Sequence, residues 1–262
     1  MQSRSHWQIQ ADVVYALFLQ DIRQRFSNYK LGTLWFLIEP LLMIILFITL
    51  FGLRGRGAFG MAEPAVFIMA GFLPFLTLFV ANYRGLMSAP NTARRYLLFR
   101  QVQLLDIILV KCLTQIVIFF CLLPIITIAF LWLGFSPLPA NPLEVIGWGS
   151  VLWLYGAAFG LIMMYLAAIA PDLAGFMGFL SMPLKFLSAL FYPMTLIPDP
   201  YRTWLAYNPL VHVNELIREN WFAEYISPVA DPMYVLWWAA FLLAWGFMLL
   251  RLKWQGAELK SA

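Results

Sequence analysis

Lys185 is the residue whose position most invites chemistry. It lies in an apolar run, with 12 residues between it and Asp172 and 13 between it and Asp199. Beyond it come Phe191, Tyr192, Tyr201, Trp204, Tyr207 and Trp221, interleaved with Pro193, Pro198, Pro200 and Pro209. An ammonium in such surroundings attracts an anion as a point charge without imposing a fixed geometry. Aromatic rings add faces on which the C–H faces of sugar rings stack, while tyrosine hydroxyls and indole N–H groups find polar partners. Lys185, Phe191, Tyr192, Tyr201, Trp204 and Tyr207 are therefore the candidate lining of a polar path. Blander accounts stand beside this one. Lys185 can snorkel, or pair with Glu39 or Asp172, and Trp and Tyr form ordinary belts at membrane interfaces.

A second constellation is SAPNTARRYLLFRQVQ, Ser88–Gln103. Asn91 or Thr92 can cap a short helix, to which Tyr96, Leu97, Phe99 and Val102 give an apolar side. Arg94, Arg95 and Arg100 keep the segment at the cytoplasmic face, either as topology anchors or as part of a docking helix for a cytoplasmic partner. Tyr, Phe and Arg are common hot-spot residues at such contacts.

The missing constellations matter as much. No GxxxxGKS or GxxxxGKT motif occurs, so a phosphate-cradling loop is not expected. No paired carboxylates or His/Asp clusters fall at helical spacing within an apolar run, which argues against intrinsic catalysis and against a metal site. Cys112 and Cys121 are nine apart in one apolar run. On one helix that is about 13 Å along the axis, too far to bridge, so packing is their expected role.

The elements that must hold these residues follow from composition. Of 262 residues, 63% are hydrophobic and 11% charged, far from a soluble domain's quarter of charged residues. The mean hydropathy of +0.79 agrees. Long unbroken runs point to an all-α polytopic membrane protein rather than a barrel, and the net charge of +4 is not a nucleic-acid signal in that setting.

Six transmembrane helices are predicted: Leu34–Leu53, Pro64–Tyr83, Cys112–Leu133, Val145–Ala170, one crossing through Asp172–Asp199 with Lys185 near mid-depth, and Pro232–Leu250. After the fifth, prolines break a segment too short to cross again. Broken backbone at membrane depth survives only inside protein or beside a water-filled cavity. Residues 1–33 read as a cytoplasmic, interfacial amphipathic helix, with Val14, Phe18, Ile22 and Phe26 recurring every four positions, and residues 34–262 as the six-span domain. The run Val13–Leu19 lacks a following cleavage site, so no signal peptide is expected. Basic residues near the spans number ten against four in favour of cytoplasmic termini. His6 and His212 then fall on opposite sides.

Three stretches resemble a known family in one register. RQRFSNYKLGTLWFLIEPLL looks like the approach to the first span of type-2 ABC exporter permeases. FLPFLTLFVANYRGLMSAPNTARRYLLFRQVQLLDIILVK resembles their second span, cytoplasmic coupling helix and third span. FLSALFYPMTLIPDPYRTWLAYNPLVHVNELIREN is similar to their fifth span followed by external re-entrant helices. The likeness is strongest to the inner-membrane permeases that export capsular polysaccharide in Gram-negative bacteria. It implies a homodimer with two copies of a separate cytoplasmic ATPase that binds ATP and Mg²⁺. It also implies ATPase docking through Arg94, Arg95, Tyr96, Leu97, Phe99 and Arg100, with no cofactor in this chain. An acidic, lipid-linked polysaccharide substrate and periplasmic and outer-membrane export partners belong to the same expectation. The alternatives are a permease for O-antigen, teichoic acid or a lipophilic drug, an integral-membrane enzyme of lipid-linked sugar metabolism, or a structural scaffold.

Overall fold

The computed structural model describes residues 6–27, 42, 45–46, 49, 63–96, 99, 101–170 and 172–258. Among these the chain is helical, with no strand. The predicted first span, Leu34–Leu53, lies mostly outside the described residues, as do Glu39 and the glycine-rich loop Gly52–Gly60.

Four helices among the described residues are long and apolar enough to cross a membrane: α2 (Pro64–Met87), α4 (Leu104–Trp132), α5 (Pro142–Ile169) and the Pro232–Leu252 portion of α9 (Pro232–Glu258). They correspond to predicted spans two, three, four and six, each longer than the uncharged run alone. Asp106 explains one extension. Its carboxylate accepts the Gln103 N–H at 2.8 Å, so the helix starts eight residues before Cys112. The chain is a multi-pass membrane protein.

α2 is the central column, apolar and enclosed nearly all round. Pro74 cannot donate to the preceding turn, and a π-helical turn over Phe75–Val80 follows it. The Thr77 hydroxyl bonds back to the Leu73 carbonyl at 2.7 Å. α5 lies along α2 at closest approach through Gly156 and Gly160: a Cβ on Gly156 would stand 2.5 Å from the Leu78 carbonyl oxygen. By contrast α4 exposes Leu105, Leu109, Leu113, Val117 and Phe120, a stripe at helical spacing suited to lipid.

α1 (His6–Ser27) packs along α4. Two short elements follow the long helices in sequence, α3 (Ala89–Tyr96) between α2 and α4, and α6 (Asp172–Leu187) after α5. At 16 residues α6 is too short to cross alone. Within the predicted fifth crossing, Asp172–Asp199, the helix stops two residues after Lys185, so that stretch is not one unbroken helix. A one-turn 3₁₀ segment (Met194–Leu196), α7 (Asp199–Leu205) and α8 (Pro209–Trp221) follow before α9.

Candidate functional site

The break after α6 is closed by α8. The last carbonyls of a helix have no partner within it. Here Leu190 N–H reaches the Lys185 carbonyl at 3.4 Å and Ala189 N–H the Phe186 carbonyl at 3.2 Å, the pairing of a Schellman cap. Glycine usually fills the left-handed position of that cap, but this chain places Ala189 there at φ +53°, a conformation that costs a non-glycine residue about 1–2 kcal/mol.

Side chains of α8 take the carbonyls that the cap leaves over. Asn208 donates to the Leu187 carbonyl and Asn214 to the Ser188 carbonyl, each at 3.1 Å. Arg218 donates to the Ala189 carbonyl at 2.7 Å and to the Leu190 carbonyl at 2.5 Å. Asn208 also caps α8 itself, its side-chain oxygen accepting the Leu210 N–H ahead of Pro209.

Arg218 is wholly enclosed. Its charge is balanced by Glu215 one turn away at 3.0 Å, and its guanidinium lies 4.0 Å from the Phe67 ring centre. The other Glu215 oxygen accepts the Tyr225 hydroxyl at 2.6 Å and the Ser227 hydroxyl at 2.8 Å. Burial and then the neighbouring Glu215 carboxylate push the Tyr225 phenol well above its usual range, so it keeps its proton and donates. At the far end of α8, Ala140 and Asn141 N–H groups cap the Trp221 and Asn220 carbonyls, and the Trp221 indole donates to the Pro137 carbonyl. α8 is thus fastened at both ends. Neither Arg218 nor Glu215 was among the candidate residues read from the sequence. The available signal was an acid and a base three apart in an apolar stretch.

Lys185 is 7% exposed and stands 5.6 Å from the Phe72 ring centre. Asp172, 13 residues earlier on the same helix, is about 20 Å away along the axis and is not its partner. The six aromatic residues read as one cluster separate into two groups. Phe191 is enclosed between Phe72 and Phe186, Trp221 is buried, and the half-buried Tyr192 donates to the Phe186 carbonyl at 2.6 Å. Tyr201, Trp204 and Tyr207 are 68–76% exposed on α7 and the turn after it. The His212 ring packs at a tilt against Tyr234 and has its Nε2 2.7 Å from the Ala206 carbonyl, tying that turn to α8 and α9.

At the other end of α2, the predicted docking segment begins as α3. Ala89 and Ala93 are buried, and Tyr96 is half-buried against the apolar cluster that they form with Leu86 and Ile107. Arg95 and Phe99 face outward, Phe99 at 64% exposure. Leu97, Arg100 and the Arg94 side chain lie outside the described residues. Asp106 and Lys111 are buried against α1. Gln10 donates to Asp106, and Lys111 is ion-paired and hydrogen-bonded to Asp21. No sequence spacing links residues 90 apart, so this clamp was invisible until the helices packed. Among the described residues, no group of His, Cys, Asp and Glu could hold a metal ion.

Residues 12–222 match the family model described as ABC-2 type transporter. The polysialic acid transport protein KpsM of Escherichia coli is 29% identical over 252 residues, 96% of this chain and 97% of that protein. The capsule polysaccharide export inner-membrane protein CtrC of Neisseria meningitidis serogroup B is 22% identical, with 98% of each chain covered. The capsule polysaccharide export inner-membrane protein BexB of Haemophilus influenzae is 24% identical, covering 82% of this chain and 81% of that protein.

Proposed function

The chain belongs to the ABC-2 type transporter family, and from that premise we propose that it is the permease subunit of an exporter carrying capsular polysaccharide across the bacterial inner membrane. The observation that carries this reading is similarity along nearly the whole chain to proteins named for capsule polysaccharide export at the inner membrane. Energy comes from ATP and Mg²⁺ on a separate cytoplasmic subunit, in keeping with the missing phosphate-binding loop. The working unit is a homodimer of this chain with two ATPases, handing an acidic, lipid-linked glycan to periplasmic and outer-membrane partners.

Both termini are cytoplasmic, a reading supported by the excess of Lys and Arg there. α1 then lies in the inner interface, α6 with the bend after it forms a fifth crossing beside the first span, and α7–α8 re-enter from outside. The enclosure of α8 supports that last assignment, since irregular backbone at membrane depth needs protein around it. An impermeant thiol reagent should label a cysteine placed at Ser136 or Ser227 from outside, and one at Ser88 only after the membrane is opened.

Within this scheme Lys185 draws the glycan's carboxylates toward the path, and Tyr201, Trp204 and Tyr207 offer stacking faces at its outer end. Arg95 and Phe99 are the exposed groups of the coupling surface, with Arg94, Leu97 and Arg100 beside them in sequence. The test is ATP-driven uptake of a lipid-linked acidic capsular glycan by inverted vesicles holding this chain and its ATPase. Uptake that tracks hydrolysis is expected. Uptake of an O-antigen in place of every acidic capsular glycan tried would overturn the substrate class.

A further inference from the structure

We infer that the α7–α8 hairpin and the last turn of α6 form one rigid body, and that Arg218 is the positioning residue that sets Lys185 and Phe191 on it. The chain of contacts is continuous. Arg218 holds the carbonyls of Ala189 and Leu190, the two residues that build the cap of α6. The Leu190 N–H in turn bonds the Lys185 carbonyl, so the backbone of Lys185 belongs to the motif that Arg218 closes. Phe191, the next residue along, has its ring between Phe72 and Phe186.

Ala189 makes the arrangement informative. A side chain in the left-handed region persists only where its surroundings over-determine it, and here the residue's own carbonyl is pinned by a buried guanidinium. Gly71 belongs to the same device. A Cβ there would stand 2.7 Å from Nη2 of Arg218, so the arginine reaches the carbonyls only because α2 offers bare backbone. Arginine is required by geometry: Nη1 and Nη2 serve two neighbouring carbonyls while Nη1 also meets Glu215, and lysine has no such fork.

The mechanical part does not depend on what is exported; only the transport readout rests on the permease reading. Spin labels at Met182→Cys on α6 and Thr203→Cys on α7, in a chain lacking Cys112 and Cys121, report whether the two elements move together. One narrow distance distribution is expected for the parent. Gly71→Ala, which keeps every charge, should broaden or split it, and Arg218→Lys should do the same. Adding Ala189→Gly should narrow it again, because glycine adopts the left-handed cap unaided. In vesicles, glycan moved per ATP should fall roughly tenfold, the ratio that accompanies loss of one charged hydrogen bond, with ATPase binding and basal hydrolysis unchanged. An unaltered distribution in both variants at normal membrane level overturns the inference whatever the transport result. A broadened distribution that Ala189→Gly leaves broad removes the role assigned to the cap. If Arg218→Lys fails to accumulate, Gly71→Ala alone decides.

Discussion

Replacing Gly156 with alanine tests the packing of α5 against α2, the column that precedes α3 in the chain. The added Cβ would lie 2.5 Å from the Leu78 carbonyl oxygen, 2.9 Å from Phe79 Cα and 3.0 Å from the Phe79 carbonyl oxygen. Ordinary C···O contacts begin near 3.3 Å, so the helices must part by about 0.8 Å, and no side-chain rotation can relieve backbone atoms. Overpacking of this kind costs about 1–3 kcal/mol. Alanine returns up to about 1 kcal/mol of helix propensity, leaving a net loss of about 1–2 kcal/mol at the middle of the range. For a chain of this size that lowers the apparent melting temperature by roughly 2–8 °C.

Gly147 supplies the control, because a Cβ there meets nothing within 4 Å. Gly147→Ala should leave stability unchanged or raise it by up to about 1 kcal/mol. Gly160→Ala should resemble Gly156→Ala, since its Cβ would stand 2.8 Å from Leu86 Cβ and 3.0 Å from Tyr83 Cα. Heating the detergent-purified protein and measuring the monodisperse fraction by size exclusion gives the comparison at a fixed heating rate. A Gly156→Ala protein as stable as Gly147→Ala would refute the close approach and the reasoning built on it.

Three further outcomes are expected. Phe99→Ala should abolish co-purification of the ATPase while the permease reaches the membrane at normal level; Tyr96→Ala should lower thermal stability, since that ring packs on the buried cluster of Leu86, Ala89, Ala93 and Ile107. Retained ATPase binding by Phe99→Ala would count against α3 and its continuation as the docking surface. Lys111→Met leaves Asp21 buried without its cation and should cost about 3–5 kcal/mol, read as loss of protein from the membrane; the double variant Asp21→Leu/Lys111→Met should recover most of it, and a double variant no better than the single would deny the pairing. Lys185→Gln should reduce export of an acidic glycan with assembly and basal hydrolysis intact, whereas Lys185→Arg should keep much of it; full export by Lys185→Gln at normal protein level would remove the lysine from the path.

The helices that cross the membrane are legible in the sequence because crossing is a matter of length and composition. Uncharged runs such as Pro64–Tyr83 have one stable arrangement in hydrocarbon, in which each backbone group bonds within its own helix. The short segment SAPNTARRY was legible as a helix from its amphipathic turn, but Asn91 and Thr92, read as caps, lie inside a helix that starts at Ala89. The stretch after Lys185 was also visible as broken, since Pro193, Pro198, Pro200 and Pro209 cannot continue a helix.

What completes that break lay beyond local reading. Asn208, Asn214 and Arg218 are 21 to 29 residues from the carbonyls they hold, and nothing in their spacing says that a helix end will be short of donors there. Asp21 and Lys111 meet across 90 residues for the same reason. The division of the aromatic cluster, with Phe191 enclosed and Trp204 exposed, follows from which side of the bend faces α2. Hydrophobicity decides that a residue leaves water, and sequence carries that information residue by residue. Which polar groups are then buried together depends on where the helices touch, and that is a property of the packed chain alone.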